Sequence, residues 1–356
     1  MQNLLWNYNP LTLAYNGIIS ISNYLSTDNQ YSSIVKKPVK GCLDNYKLII
    51  FDMDGVLRKG NDVIPLADIT FNKIKESGLP ICIITNEFRR SPKKIKKELI
   101  SMGFNVDTNI NLISASGLML LEIVNIMKNN KIPQSKICKN KKKSMPPIIK
   151  FGFIGENEYF NYIKGSMTNK FSNCAFYSIK NEYTPQNIDY FIIGSLNNNE
   201  NINDYINKAI RWFGYNPNAS ILISCPDTLD VELMEELTYY SAIPLLNKIQ
   251  GEGSKLNSDF KVPNNWTIVG KPYCHNYISK ICDKYNINSN DLNENGRLPI
   301  LMVGDNPNTD MEFAKNINCD KCLVLSGVIS INDIQKNETL VDDVDYVIPD
   351  ISYLCM

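Results

Sequence analysis

The apolar run Leu48-Ile49-Ile50-Phe51 stops abruptly at Asp52-Met53-Asp54-Gly55. A short unbroken apolar run before a turn signal predicts a strand buried on both faces, as in a parallel sheet. Open parallel sheets keep their sites at the carboxyl ends of their strands. The acids that end this run therefore constrain both the fold and the chemistry. In an extended chain Asp52 and Asp54 point to the same side. Two carboxylates held together call for a cation or a shared proton. Mg²⁺ is the natural cation, being hard, oxygen-seeking and usually bound by a few carboxylates plus substrate phosphate. Gly55 lets the backbone turn sharply and approach an anion. Taken alone, the same residues also describe an acidic turn without chemistry.

Three further apolar runs end in polar clusters. Leu79–Ile84 precedes Thr85-Asn86, Trp266–Gly270 precedes Lys271-Pro272, and Ile300–Val303 precedes Gly304-Asp305 and, five residues on, Asp310. Each cluster has a plain structural reading. Thr85 and Asn86 suit a helix N-cap, Lys271 a surface position before a turn, and Asp305 and Asp310 a cap followed by a first-turn acid. As an ordered set they supply a nucleophile, an acid, neutral donors, a cation and metal-ligand carboxylates. Phosphoryl transfer needs that inventory for in-line positioning and charge neutralisation. A parallel sheet would gather all four ends on one edge.

Between the second and third clusters the strand–helix alternation continues through Ile148–Ile154, Ile188–Gly194, Ile202–Phe213 and Ile221–Ser224. That section is long enough for a separate α/β domain inserted into the first. It closes near Gly251-Glu252-Gly253-Ser254, which suits a hinge or a close backbone approach. Lys136–Pro147 reads as a loop or insertion. The basic residues from Arg89 to Lys97 read as a solvated helix face or an attraction for an anionic substrate.

The chain has 356 residues, with 37 basic and 37 acidic side chains. Zero formal net charge provides no global field for nucleic acid or an anionic membrane. No stretch reaches the apolar length of a membrane span. The leader lacks a basic start before a clean apolar segment, which argues against a signal peptide. Ten scattered cysteines in so large a chain read as reduced thiols of a cytoplasmic protein. Cys319-Asp320-Lys321-Cys322 has half the spacing of a zinc site, but with no second pair or nearby histidine it reads as a helix-to-strand loop. The only histidine, His275, follows Lys271-Pro272 and reads as a helix-start residue.

The text Phe51-Asp52-Met53-Asp54-Gly55-Val56-Leu57, Ile84-Thr85-Asn86, Gly270-Lys271-Pro272 and Val303-Gly304-Asp305 through Asp310 resembles the haloacid dehalogenase superfamily of phosphatases. More narrowly, it is similar to the subclass of 4-nitrophenyl phosphatase, phosphoglycolate phosphatase, pyridoxal phosphatase and NagD proteins. Weaker matches are Ser224-Cys225-Pro226-Asp227, Gly251–Ser254 and Leu323–Val328. The resemblance implies a Rossmann-like parallel core with an inserted α/β cap of the C2 type. The expected division is an N-terminal extension over 1–45, a core over 46–112 and 256–356, and a cap over 113–255.

The resemblance also implies roles. Asp52 would be the nucleophile that forms an aspartyl-phosphate, and Asp54 the general acid and base. Mg²⁺ would sit on Asp52, the main-chain carbonyl of Asp54, and Asp305, with Asp310 behind them. Thr85, Asn86, Gly55 and Lys271 would hold phosphate, and Asp227 in the cap would face the substrate. The substrate would be a small phosphorylated metabolite, and a homodimer through the cap is a further implication. Glu87 and Cys225 depart from the family's usual residues. A catalytically silent binding or regulatory protein and a phosphotransferase remain the alternatives.

Overall fold

The computed structural model describes residues 42–129, 147–181, 186–197, 201–226 and 239–355. Most of the leader, most of the Lys136–Pro147 stretch, and Asp227 lie outside them. The chain opens with β1 (Leu48–Phe51), then the short pair β2 (Arg58–Lys59) and β3 (Asp62–Val63), and helix α1 (Ala67–Glu76). Next come β4 (Ile81–Thr85), α2 (Pro92–Ser101), β5 (Asn111–Ser114) and α3 (Ala115–Lys128). The middle section contributes β6 (Ile149–Ile154), α4 (Asn157–Thr168), β7 (Cys174–Ser178), β8 (Tyr190–Ile193) and β9 (Leu196–Asn197). It continues with α5 (Ile202–Tyr215), β10 (Ser220–Ile223), β11 (Tyr239–Tyr240), α6 (Ala242–Leu256) and β12 (Trp266–Ile268). The chain then runs through α7 (Ile278–Lys284), β13 (Leu298–Gly304), α8 (Glu312–Asn316), β14 (Cys319–Val324), α9 (Ile331–Lys336) and β15 (Tyr346–Ile348).

Two parallel sheets result. The first has the order β15-β14-β13-β1-β4-β5 and the second β12-β10-β8-β6-β7. The chain leaves β1 for β4 on one side and returns as β13 on the other, so the strand order reverses beside β1. Ligands bind at such reversals in open α/β sheets. The four apolar residues of β1 are all buried because the sheet is covered on both faces. Ile49 and Phe51 pack with α1, α2 and the C-terminal turn Ile351–Cys355. Leu48 and Ile50 face α3, α7 and α8.

Helix α3 explains how the sheets join. It buries Leu118, Met119, Ile123, Ile126 and Met127 and leaves Leu121, Asn125 and Lys128 exposed. One continuous buried cluster takes in Leu48 and Ile84 from the first sheet, Leu118 and Ile123 from α3, and Phe151 and Tyr159 from the second unit. The other face of the second sheet packs Phe191 and Ile221 against Trp212 and Phe213 of α5 and Leu245 and Ile249 of α6.

Three expectations change. Strand Trp266–Ile268, assigned to the core by the division at 256, pairs with β10 in the second sheet, while Asn111–Ser114, cut by the division at 112, lies wholly in the first. A short apolar run reveals a buried strand but not which sheet it joins. Gly251 and Gly253 are not at a hinge but inside α6, where Gly253 admits Phe260. Cys319-Asp320-Lys321-Cys322 is not a loop but a fully buried part of β14, paired along its length with β13 and at Cys322 also with β15. Among the described residues, no helix is long and apolar enough to cross a membrane.

Candidate active site

Asp52 follows β1, Thr85 closes β4, and Asp305 follows β13, three neighbouring strands. Lys271 arrives differently: it follows β12 of the second sheet and crosses over through Val269 and Gly270. Its ammonium lies 2.6 Å from Asp52 Oδ1 and 2.6 Å from Asp310 Oδ1. It is 1% exposed, which removes the surface-lysine reading. Burial alone would push the Lys271 amine down, but Asp310 and Asp52 outweigh it and hold the group charged.

Oxygens of Asp52, Asp305 and Asp310 lie within 4.8 Å of one another, all three residues buried. Asp310 Oδ2 accepts the main-chain N–H groups of Asp305 and Asn306 at 3.0 and 3.1 Å. Its other oxygen meets Lys271, so Asp310 shapes the loop and anchors the lysine. Burial and Asp310 push the Asp305 carboxyl up to about 8, although Val328 N–H and Lys271 oppose the shift. Burial and Asp310 raise Asp52 as well, against Lys271. Three carboxylates facing one ammonium leave an excess of negative charge that protons or a hard divalent cation must neutralise. The donor set thus fits Mg²⁺, with Asp52 and Asp305 as the available carboxylates.

Small residues make room for Asp305. A Cβ on Gly327 would lie 1.9 Å from Asp305 Oδ2, and one on Gly55 2.1 Å from it. Gly55 also has φ +81°, so both its conformation and its space need glycine. Val328 N–H donates to Asp305 Oδ2 at 2.7 Å, and Ser326 Oγ donates to the Gly55 carbonyl at 2.7 Å. Ser326, Gly327 and Val328 therefore belong to the site. The sequence carried them only as the faint match at Leu323–Val328. Gly55 approaches Asp305 and Gly327 closely.

Asp54 departs from the expected geometry. It is not in the cluster of Asp52, Asp305 and Asp310, and its carboxylate accepts from Arg58 Nε at 2.8 Å. The strand ends at Phe51, and the main-chain N–H groups of Leu57 and Arg58 both donate to the Met53 carbonyl. That tight turn ends the alternation on which a same-side placement of the two acids depended. Asp54 is held instead by Arg58, at the start of the hairpin that follows the turn.

Thr85 and Asn86 do not cap the next helix. Ser91 does so, its Oγ accepting Lys94 N–H at 3.3 Å. Asn86 Nδ2 instead donates to the Lys271 carbonyl at 3.1 Å, and its Oδ1 accepts Lys271 N–H at 2.7 Å. Thr85 is buried, and its hydroxyl oxygen accepts Glu87 N–H at 3.1 Å. Asn306 Oδ1, rather than Asp305, caps the turn Pro307–Met311 by accepting Asn308 N–H.

Glu87 is buried rather than turned to solvent, and Arg89 Nη2 lies 3.4 Å from it and Arg90 Nη1 3.7 Å. Burial pushes its carboxyl up, but the two guanidinium groups prevail and hold it low. The basic run is thus partly spent inside the protein. Phe88 packs edge-on against Tyr159 of α4, ring centres 5.7 Å apart. Ser224 Oγ donates to Tyr159 OH at 2.9 Å, and Pro226 approaches Gly270. The carboxyl edge of the second sheet therefore borders the Lys271 crossover. His275 lies in the turn Tyr273–Tyr277.

Two family models match the chain in sequence. One, described as haloacid dehalogenase-like hydrolase, covers residues 49–133, and a second, HAD-hydrolase-like, covers 268–354. Phosphoglycolate phosphatase 1A, chloroplastic, of Arabidopsis thaliana is 23% identical over 311 residues, spanning 83% of this chain and 73% of its own. Acid sugar phosphatase of Staphylococcus aureus is 22% identical over 294 residues, spanning 83% of this chain and 92% of its own. Among solved structures, p-nitrophenyl phosphatase from Archaeoglobus fulgidus superposes with a TM-score of 0.59 at 20% identity, covering 87% of this chain and 98% of that one. The 4-nitrophenylphosphatase from Thermotoga maritima gives 0.60 at 16% identity, covering 88% and 97%. The two matched segments enclose the inserted sheet and between them supply Asp52, Thr85, Lys271, Asp305 and Asp310, which places the chain among the haloacid dehalogenase-like hydrolases.

Proposed function

We propose that this chain is a Mg²⁺-dependent phosphatase that hydrolyses a small phosphomonoester through a phosphorylated Asp52. The observation that carries the reading is the position of Lys271. It comes from the inserted sheet, yet its ammonium touches Asp52 and Asp310 of the first unit. A buried cation so placed offsets charge where a phosphoryl group and carboxylates meet. The relatives named above bear phosphatase names, which supports the same class of reaction.

Asp52 and Asp305 would hold the metal with the main-chain carbonyl of Asp54, and Asp310 would steady Lys271 behind them. Bound Mg²⁺ would supply charge neutralisation at the transferred phosphoryl oxygens. An oxygen of Asp52 bonds to phosphorus while the ester P–O bond breaks. Asp54 gives its proton to the departing alcohol oxygen. The Asp54 carboxylate then takes a proton from a water whose oxygen bonds to phosphorus, and the bond to Asp52 breaks. Inorganic phosphate leaves with both acids restored. Thr85 and Lys271 would hold the phosphoryl oxygens.

The test is turnover of 4-nitrophenyl phosphate with Mg²⁺, with chelator, and in Asp52→Asn. The reading expects activity only in the first case, with phosphate released to water and the variant still folded. Full activity in Asp52→Asn would remove the nucleophile assignment, and metal-independent turnover would remove Mg²⁺.

A further inference from the structure

Arg58 is 1% exposed and sits at the start of the β2–β3 hairpin, directly after the acid-bearing turn. Its Nε donates to Asp54 Oδ1 at 2.8 Å, and its Nη1 lies 3.5 Å from Glu98 Oε2 on α2. Glu98 is held in turn by Arg90 Nη1 at 3.2 Å. The guanidinium thus links the Asp54 carboxylate to Glu98 of α2.

The turn does not need this side chain for its backbone. Arg58 N–H already donates to the Met53 carbonyl, and Gly55 N–H to the Arg58 carbonyl at 2.7 Å. What the side-chain bond adds is the rotation of the Asp54 carboxylate. We propose that Arg58 is a positioning residue that fixes Asp54 for proton transfer to the leaving oxygen. The inference rests on the phosphatase reading above.

A guanidinium only donates. Asp54 Oδ1 can therefore keep the same partner when Asp54 is a carboxylic acid and when it is a carboxylate. The carboxyl plane stays put while the proton comes and goes, and the reaction needs this because Asp54 acts first as acid and then as base. Lysine could not reproduce the clamp, since a point charge lacks the planar fork that spans two carboxylates.

The experiment compares kcat/KM for 4-nitrophenyl phosphate and for glycerol 3-phosphate in wild type, Arg58→Met and Arg58→Lys. An alkoxide leaving group needs the proton of Asp54 far more than a nitrophenolate does. In Arg58→Met the ratio of the two kcat/KM values should fall against the alkyl ester by about tenfold or more. Arg58→Lys should shift it less and in the same direction. If Arg58→Met does not fold, Arg58→Lys retains a buried positive charge and takes the test alone. An equal loss on both esters, or an unchanged ratio in any variant that folds, would overturn the role of Arg58. Failure of the underlying reading looks different: wild type would turn over neither ester, or Asp52→Asn would remain active.

Discussion

Asn86 grips the main chain of Lys271 on both sides, its amide donating to the carbonyl at 3.1 Å and its oxygen accepting the N–H at 2.7 Å. The two residues belong to different β-sheet systems, so this pair of bonds sets where the lysine enters the first unit. Asn86→Ala leaves both main-chain groups unpaired in a largely buried place. Stability should fall by about 1–3 kcal/mol, read by denaturant unfolding. Activity should fall further than stability explains, because the Lys271 ammonium loses its fixed approach to Asp52. Wild-type kcat/KM in Asn86→Ala would show that the lysine is held by other means.

Two glycine substitutions should have opposite outcomes. A Cβ on Gly327 would lie 1.9 Å from Asp305 Oδ2 and 2.5 Å from its Cγ. Gly327→Ala must displace that carboxylate or the loop that carries Val328. The expected result is a higher Mg²⁺ requirement and a kcat lowered by about tenfold or more, since small misplacements are costly in catalysis. Gly251 lies within α6 with open space around its added Cβ. Gly251→Ala should stabilise the protein by about 0.5–1 kcal/mol and leave turnover unchanged.

Metal and pH should be linked. Asp305 is pushed up to about 8 from a usual value of 3.8. Without metal, the folded protein holds this proton over a range in which the unfolded chain has released it. Stability therefore falls as pH rises from about 4 to about 8. A bound divalent ion replaces protons at the same oxygens. The Mg²⁺-induced rise in Tm should be small at about pH 5 and large at about pH 9. A pH-independent Mg²⁺ effect would place the ion elsewhere.

Glu87 has the opposite sign. Burial disfavours its charge, but Arg89 and Arg90 hold its carboxyl below the usual 4.5. Its stabilising contribution is complete above about 4.5 and is lost as pH falls through the lower folded value. Glu87→Gln should cost about 1–3 kcal/mol near neutral pH, discounted for two partly exposed partners. The gap between variant and wild type should close in acid. Thermal unfolding across pH measures it directly.

The sequence revealed much of this site because its residues follow short apolar runs, a local signal. Asp52, Thr85 and Asp305 stand where the strand ends foretold. Asp54 was harder, because alternation holds only while the chain stays extended and β1 stops one residue before Asp52. The sheet that Trp266–Ile268 joins depends on contacts with Ile221–Ile223, remote in sequence. Arg58 and Glu98 carry no motif, and each alone reads as a surface charge. The burial of Arg58 and its pairing with Glu98 emerge only when the hairpin folds against α2. Ser326 and Gly327 act through an oxygen of Asp305 and the carbonyl of Gly55, partners that no spacing rule announces.

Helix α3 lends apolar side chains to both β-systems at once. Swinging them apart as rigid shells would strip that helix on one side and wet Phe151, Tyr159 and their neighbours. Phe88, which packs on Tyr159 in that same cluster, ties the seam between the two units to this common wall, so opening the two shells as rigid bodies would cost the apolar contacts of all three elements.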